Sequence, residues 1–215
     1  MDDYYQMFLD ELGPQISKTQ PSETQIEKFK NHLPAKLLEY WKYSGWGGFH
    51  NGLFWITNPD DYIEAVKAWL DGTTIENKSD YFAIARSAFG RVFLWNKKAG
   101  QNVTIDSLSG RIITSPADKQ IIAGDDTKAI QYFISGEDAD GLDFDDSEEK
   151  KLFKRALKKL GALKEDEMYG FEPALCIGGL PTLKNLVKVK IVVHLILLEQ
   201  LCDIEILHLD VSRHL

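Results

Sequence analysis

Apolar positions recur along this chain first with a helical period and later with a strand period, and the change divides it. Tyr5, Phe8, Leu9 and Leu12 fall on one face of a first helix, which Gly13-Pro14 ends. Ser22 with Gln25 three residues on is a capping box for a second helix, whose apolar side carries Ile26 and Phe29. The stretch Leu33–Asp71 is denser in signals. Pro34 suits a helix start, Leu37, Leu38 and Trp41 share one face, and Gly45 stops the helix. Gly47 and Gly48 loosen the backbone, Asn51-Gly52 signals a tight turn, and Leu53–Thr57 reads as a strand. Asn58 then offers an N-cap, Pro59 a first helical position, and Asp60 and Asp61 complement the helix dipole. Tyr62, Val66, Trp69 and Leu70 line that helix, and Gly72 ends it. Four of the five tryptophans lie in this stretch, so it must supply much of the aromatic core.

From Tyr81 the period becomes strand-like. The runs YFAIARS, RVFLWNK, NVTID and RIITS are separated by glycine-bearing turns and predict an antiparallel meander. Asp125 or Asp126 caps a helix with Ile130, Phe133 and Ile134 inward, stopped by Gly136. Beyond it, Leu152, Phe153, Ala156, Leu157 and Leu160 line a helix with a lysine-rich outer face, ended by Gly161. Phe171–Ile177 reads as a buried strand, Gly178-Gly179 as a turn, Val187 and Val189 as a short strand, Val192–Leu201 as a helix and Asp203–Asp210 as a final strand. The fold class is therefore α+β: an antiparallel sheet with flanking helices, divisible into two lobes near residue 140.

Charge adds one feature that periodicity does not. Between Glu137 and Glu149 stand eight carboxylates and no basic residue, equal to the whole net charge of −8. This run marks a linker at 137–149 between a domain over 1–136 and one over 150–215. A chain this acidic is a poor candidate for neutralising phosphates, so direct nucleic-acid binding is not expected. An apolar fraction of 44% and a charged fraction of 27% are those of an ordinary soluble globule. The acidic, amphipathic start MDDYYQMFLDEL is not a signal peptide, and no apolar run reaches about 18 residues, so a cytoplasmic protein without a membrane span is expected. Cys176 and Cys202, both among apolar neighbours, read as buried reduced thiols, with a disulfide or metal pair as the alternative.

The search for chemistry returns mostly negatives. The chain has no Gly-Lys-Ser/Thr phosphate loop, Gly-x-Ser-x-Gly elbow, His-Glu-x-x-His helix or Cys-x-x-Cys pair. Asp60 and Asp61 stand where a helix start wants acids. His194 reads as a hydrogen-bonded core histidine, and Glu165, Asp166 and Glu167 beside Tyr169 as a solvated turn in preference to a hard-metal site. His32, His50, His208 and His214 show no ligand spacing. No catalytic residue, cofactor or metal is assigned. The Gly-Trp-Gly-Gly loop at 45–48 fits a ligand loop and a tight turn beside a buried indole about equally.

Two segments carry a family resemblance. EYWKYSGWGGFHNGLFWITNPDDY, followed by FAIARSAFGRVFLW, resembles the GAD-like domain of bacterial proteins. LGALKEDEMYGFEPALCIGGLPTLKNLVKVKIVVHLILLEQL resembles the C-terminal domain that accompanies it in the Tdi family of immunity proteins; a more distant likeness is to SUKH-type immunity folds. The resemblance covers about Phe29 to Leu201. It implies an immunity protein of the type VI secretion system that is not an enzyme. Such a protein stays in the producer's cytoplasm and binds and neutralises a cognate toxin, typically a DNase. A nucleotide- or tRNA-related binding module is the alternative, since the GAD domain takes its name from tRNA-charging machinery; a small-molecule enzyme comes third. A nuclease surface that holds DNA is basic, so carboxylates can occupy it in place of phosphates. Asp138, Asp140, Asp143 and Asp145, together with Trp46 and Gly47 of the glycine loop, are thus the candidate partner-binding residues. The competing reading of the acidic run is a solvated segment that balances the lysine-rich helix after it.

Overall fold

The computed structural model describes residues 1–209. Helix α1 (Asp3–Leu12) starts where the Asp2 carboxylate accepts from the Tyr5 backbone N–H, and it buries Tyr5, Phe8 and Leu12. The expected capping box opens α2 (Glu23–Phe29), and α3 (Ala35–Ser44) buries Leu37, Leu38 and Trp41. Strands β1 (Gly47–Phe49) and β2 (Phe54–Ile56) flank a tight turn in which His50 and Asn51 take left-handed angles (φ 46° and 56°). Helix α4 (Ile63–Leu70) follows the turn that Asn58 caps. The meander is β3 (Tyr81–Ser87), β4 (Arg91–Asn96), β5 (Gly100–Asp106) and β6 (Arg111–Thr114). Then come α5 (Lys119–Ile122), α6 (Asp126–Gly136), α7 (Ala139–Leu142) and α8 (Phe153–Leu160). The chain continues through β7 (Glu167–Phe171), β8 (Leu186–Lys190), α9 (Ile191–Leu201) and β9 (Glu205–His208).

Seven of these strands form one sheet in the order β1-β2-β3-β4-β5-β6-β9, antiparallel except for the parallel β6–β9 pair; β7 and β8 form a separate antiparallel ribbon. This is an α+β fold. Residues Ala83–Ser87 of β3 and Val92–Asn96 of β4 are buried without alternation, so the middle of the sheet is covered on both faces. That double cover explains why alternation is weak in YFAIARS.

The two halves of the chain share this sheet. β9, from the C-terminal half, completes the edge that β6 would otherwise leave open. The Trp69 indole on α4 donates to the Leu195 carbonyl of α9 (2.8 Å), and the Tyr169 N–H of β7 donates to the Ala88 carbonyl after β3 (2.8 Å). Helix α6 packs against α1, where Gln131 donates to the Asp2 carboxylate (3.1 Å).

Three expectations are corrected. The strand expected over Phe171–Ile177 ends at Phe171; the Glu172-Pro173 peptide is cis and a 3-10 turn follows over Leu175–Ile177. The final strand is Glu205–His208, while Asp210 and His214 lie outside the described residues. The two cysteines are joined as a disulfide, Cys176–Cys202, instead of lying as reduced thiols. Folding brings the turn after β7 against the C-terminal end of α9, a proximity of residues 26 apart that local pattern does not reveal.

Candidate functional site

Where the two halves meet they enclose a cleft of about 650 Å³. Its floor is set by strand register. Trp55 of β2 lies directly opposite Arg86 of β3, and on the other side of β3 its pairing with β4 shifts register between Ala83 and Ala85. The Arg86 guanidinium stacks on the Trp55 ring, its carbon 4.6 Å from the ring centroid, and Trp55 itself is anchored by donation to the Gly52 carbonyl (2.7 Å). Arg86 is fully buried. It donates to the Ser87 carbonyl (3.2 Å) and across the junction to the Glu165 carbonyl (2.9 Å), while its Nε–H has no partner. No carboxylate forms an ion pair with it among the described residues. Burial lowers its pKa, opposed by the neighbouring Tyr62 hydroxyl and by Glu165 and Asp166; burial raises that of Tyr62.

The walls come from both halves. One is the Asn58–Tyr62 turn, where Asn58 donates to the Asp61 carboxylate (3.1 Å) and burial raises the Asp61 pKa. The other is Lys164–Asp166, whose acids are turned to protein partners: Glu165 accepts from Thr19 (3.0 Å) and Asp166 pairs with Lys190. The lining is completed by Ile191, Val192 and Val193, the first turn of α9, where Ile191 N–H donates to the Asp166 carbonyl (2.9 Å) and no side chain caps the end.

The residues singled out from sequence lie elsewhere. Trp46 is buried against Trp41 (ring centroids 5.4 Å apart), and its backbone is bridged to Thr19 in both directions (2.8 and 2.9 Å). Gly47 is pressed against the Ser17 backbone. The acidic run is folded. Asp138 caps α7 by accepting from Gly141 N–H (2.8 Å), and Asp143 reaches the start of α8 by accepting from Phe153 N–H (2.8 Å). Asp140 and Asp145 pair with Lys151 (3.4 and 3.2 Å), Glu148 with Lys150 (2.7 Å) and buried Asp146 with Arg155. Of the four candidate aspartates, Asp138, Asp140 and Asp145 are exposed and Asp143 is half-buried. His194 is in the core as expected, though its Nε2 has no partner and burial lowers its pKa. Glu167 accepts from Lys164 N–H (2.9 Å), and no cluster of three or more His, Cys, Asp or Glu among the described residues could hold a metal.

Glu137, the first of the run, is pushed up to about 7 by burial, against the pull of Arg91. The folded protein therefore holds a proton that the unfolded chain releases near 4.5, and stability falls as pH rises from there to about 7. Glu137→Gln is expected to add roughly 1–2 kcal/mol above pH 7 and nothing near pH 4. Thermal denaturation at both pH values checks this; the same gain at each would show the effect not to be ionisation.

Residues 3–109 match the GAD-like domain, and residues 127–202 match the C-terminal domain of the type VI secretion immunity protein Tdi1. The chain belongs to this GAD-like, Tdi1-type family. The crystal structure of Atu4351 from Agrobacterium tumefaciens superposes with a TM-score of 0.88 at 25% identity, covering 97% of this chain and 94% of that one. No curated protein matches the sequence. Family membership associates the chain with immunity in type VI secretion. No described helix is long and apolar enough to cross a membrane. Within the family frame, Trp55 and Arg86 belong to the GAD-like part and Lys164–Val193 to the Tdi1-type part, so the cleft exists only because the two are packed together. Sequence reasoning passed over Arg86. The available signal was a lone guanidinium inside an otherwise apolar strand run, which a central strand tolerates only with a reason.

Proposed function

We propose that this protein is the immunity partner of a toxin delivered by type VI secretion. It works in the producer's cytoplasm by binding that toxin, a nuclease acting on DNA, in a stoichiometric and non-catalytic complex. The observation that carries the reading is the Tdi1 C-terminal match over 127–202, in a chain whose GAD-like part shares one sheet with it through β9. The net charge of −8 supports it, because an acidic protein is steered toward the basic surface of a nuclease. Among the residues proposed for contact, Asp138, Asp140 and Asp145 are open to a partner, whereas buried Trp46 and Gly47 would reach one only after the α3–β1 loop opened.

The test is titration of the cognate toxin with this protein. DNase activity is expected to fall linearly to its floor near one protein per toxin. Complete inhibition far below that ratio, with the toxin chemically altered, would show turnover and overturn the reading; a toxin that is bound but cleaves no DNA would overturn the nuclease assignment alone.

A further inference from the structure

We infer that the cleft between the GAD-like and Tdi1-type parts is a binding site for a carboxylate with an apolar body, held by Arg86 and the N-terminus of α9. Two independent features converge there. Helix α9 has eleven residues and its first turn lines the cleft; Ile191 N–H donates to the Asp166 carbonyl (2.9 Å), but no side chain caps the end, so the Val192 and Val193 N–H groups and the positive end of the dipole are offered to whatever enters. Lining the same space is a fully buried guanidinium that donates to two carbonyls, lies beside the Tyr62 hydroxyl and leaves Nε–H without a partner. Burying such a charge without a counter-ion is costly, and a ligand that brings one recovers that cost.

The chemistry of the walls narrows the class. Trp55, Ile191, Val192 and Val193 give an apolar lining, which selects an organic acid over a bare inorganic ion. The cationic groups Arg86, Lys164 and Lys190 are matched in number by Asp61, Glu165 and Asp166, so a monoanion is tolerated where a phosphate dianion meets repulsion. The carboxylate has two possible sources, a free small acid or an acidic side chain of the toxin.

The test uses benzoate as the probe, inorganic phosphate as control, and the full-length protein observed by amide and arginine Nε–H resonances. Benzoate is expected to shift Val192, Val193 and the Arg86 Nε–H saturably, with a Kd on the order of 1 mM, the range open to a fragment of its size. Phosphate is expected to bind at least about tenfold more weakly. Arg86→Gln removes the charge. Because that variant risks the fold, Val193→Trp provides a second one: Val193 is 69% exposed, so a larger side chain can block the mouth without entering the core. Each is expected to weaken benzoate at least about tenfold. No saturable shift up to about 50 mM benzoate, or equal binding in folded Val193→Trp, overturns the inference. This arm needs no toxin, so its outcome is independent of the immunity reading. Where benzoate binds, the toxin then identifies the source. Competition between the two, with weaker toxin binding by Val193→Trp, assigns the carboxylate to the toxin; toxin affinity unchanged by both assigns the site to a free acid.

Discussion

Gly47→Val is expected to cost the protein about 3 kcal/mol or more, a fall of roughly 10 °C in Tm for a domain of this size. A Cβ at this position would stand well inside contact distance of the Ser17 carbonyl oxygen and close to the Gln15 side chain. That obstacle is backbone, and it is pinned: Thr19 and Trp46 exchange backbone hydrogen bonds of 2.8 and 2.9 Å, and Ile16 N–H donates to the Gly48 carbonyl (2.8 Å). Relief therefore means parting the segment at 15–19 from β1 and exposing the buried Trp46 indole. Any loss of toxin neutralisation should follow the unfolded fraction. Circular dichroism melting beside a protection assay decides the matter. A variant with a wild-type melt that no longer protects would make the Trp46–Gly48 loop a contact surface.

Trp69→Ala is expected to be as severe, at about 3–5 kcal/mol, because it empties a fully buried indole site at the meeting of the two halves. The indole also donates to the Leu195 carbonyl (2.8 Å), so part of the loss is a hydrogen bond that a smaller apolar side chain cannot restore. Trp69→Phe should separate the two effects by keeping most of the volume and losing the donor, at a cost of about 1–2 kcal/mol. Chemical denaturation is the measurement. A single transition moving as a whole in both variants is expected, because β9 and α9 are built into the unit that contains α4. A second, separate transition in Trp69→Ala would mean that the GAD-like and Tdi1-type parts unfold independently.

The helices were legible from sequence wherever their signals are local. Ser22 with Gln25, Asn58 with Pro59, and Asp125 before α6 cap as their spacing predicts, because a cap involves a side chain and a backbone N–H only two or three residues apart. The meander was legible for the same reason, its glycine turns and strand runs being neighbours in sequence. The acidic run shows the limit of that logic. Composition suggests an open linker, yet Asp143 reaches the start of a helix ten residues away and Asp146 is buried against Arg155. A run of charge states how much electrostatic work is available, and only the fold states where it is used.

The chain by itself thus determined the locally capped helices and the meander, the aromatic core around Trp41, Trp46, Trp55 and Trp69, the sign of the net charge and the family. Tertiary structure alone decided what lies far apart in sequence: β9 beside β6, Cys176 bonded to Cys202, and Arg86 of one half lining the same cleft as the first turn of α9 from the other. The physical reason is range. Caps, turns and periodicity depend on neighbours within about one helical turn or one hairpin. A cleft between two halves depends on contacts spanning about a hundred residues, and neither side of it carries the other's position in its own pattern.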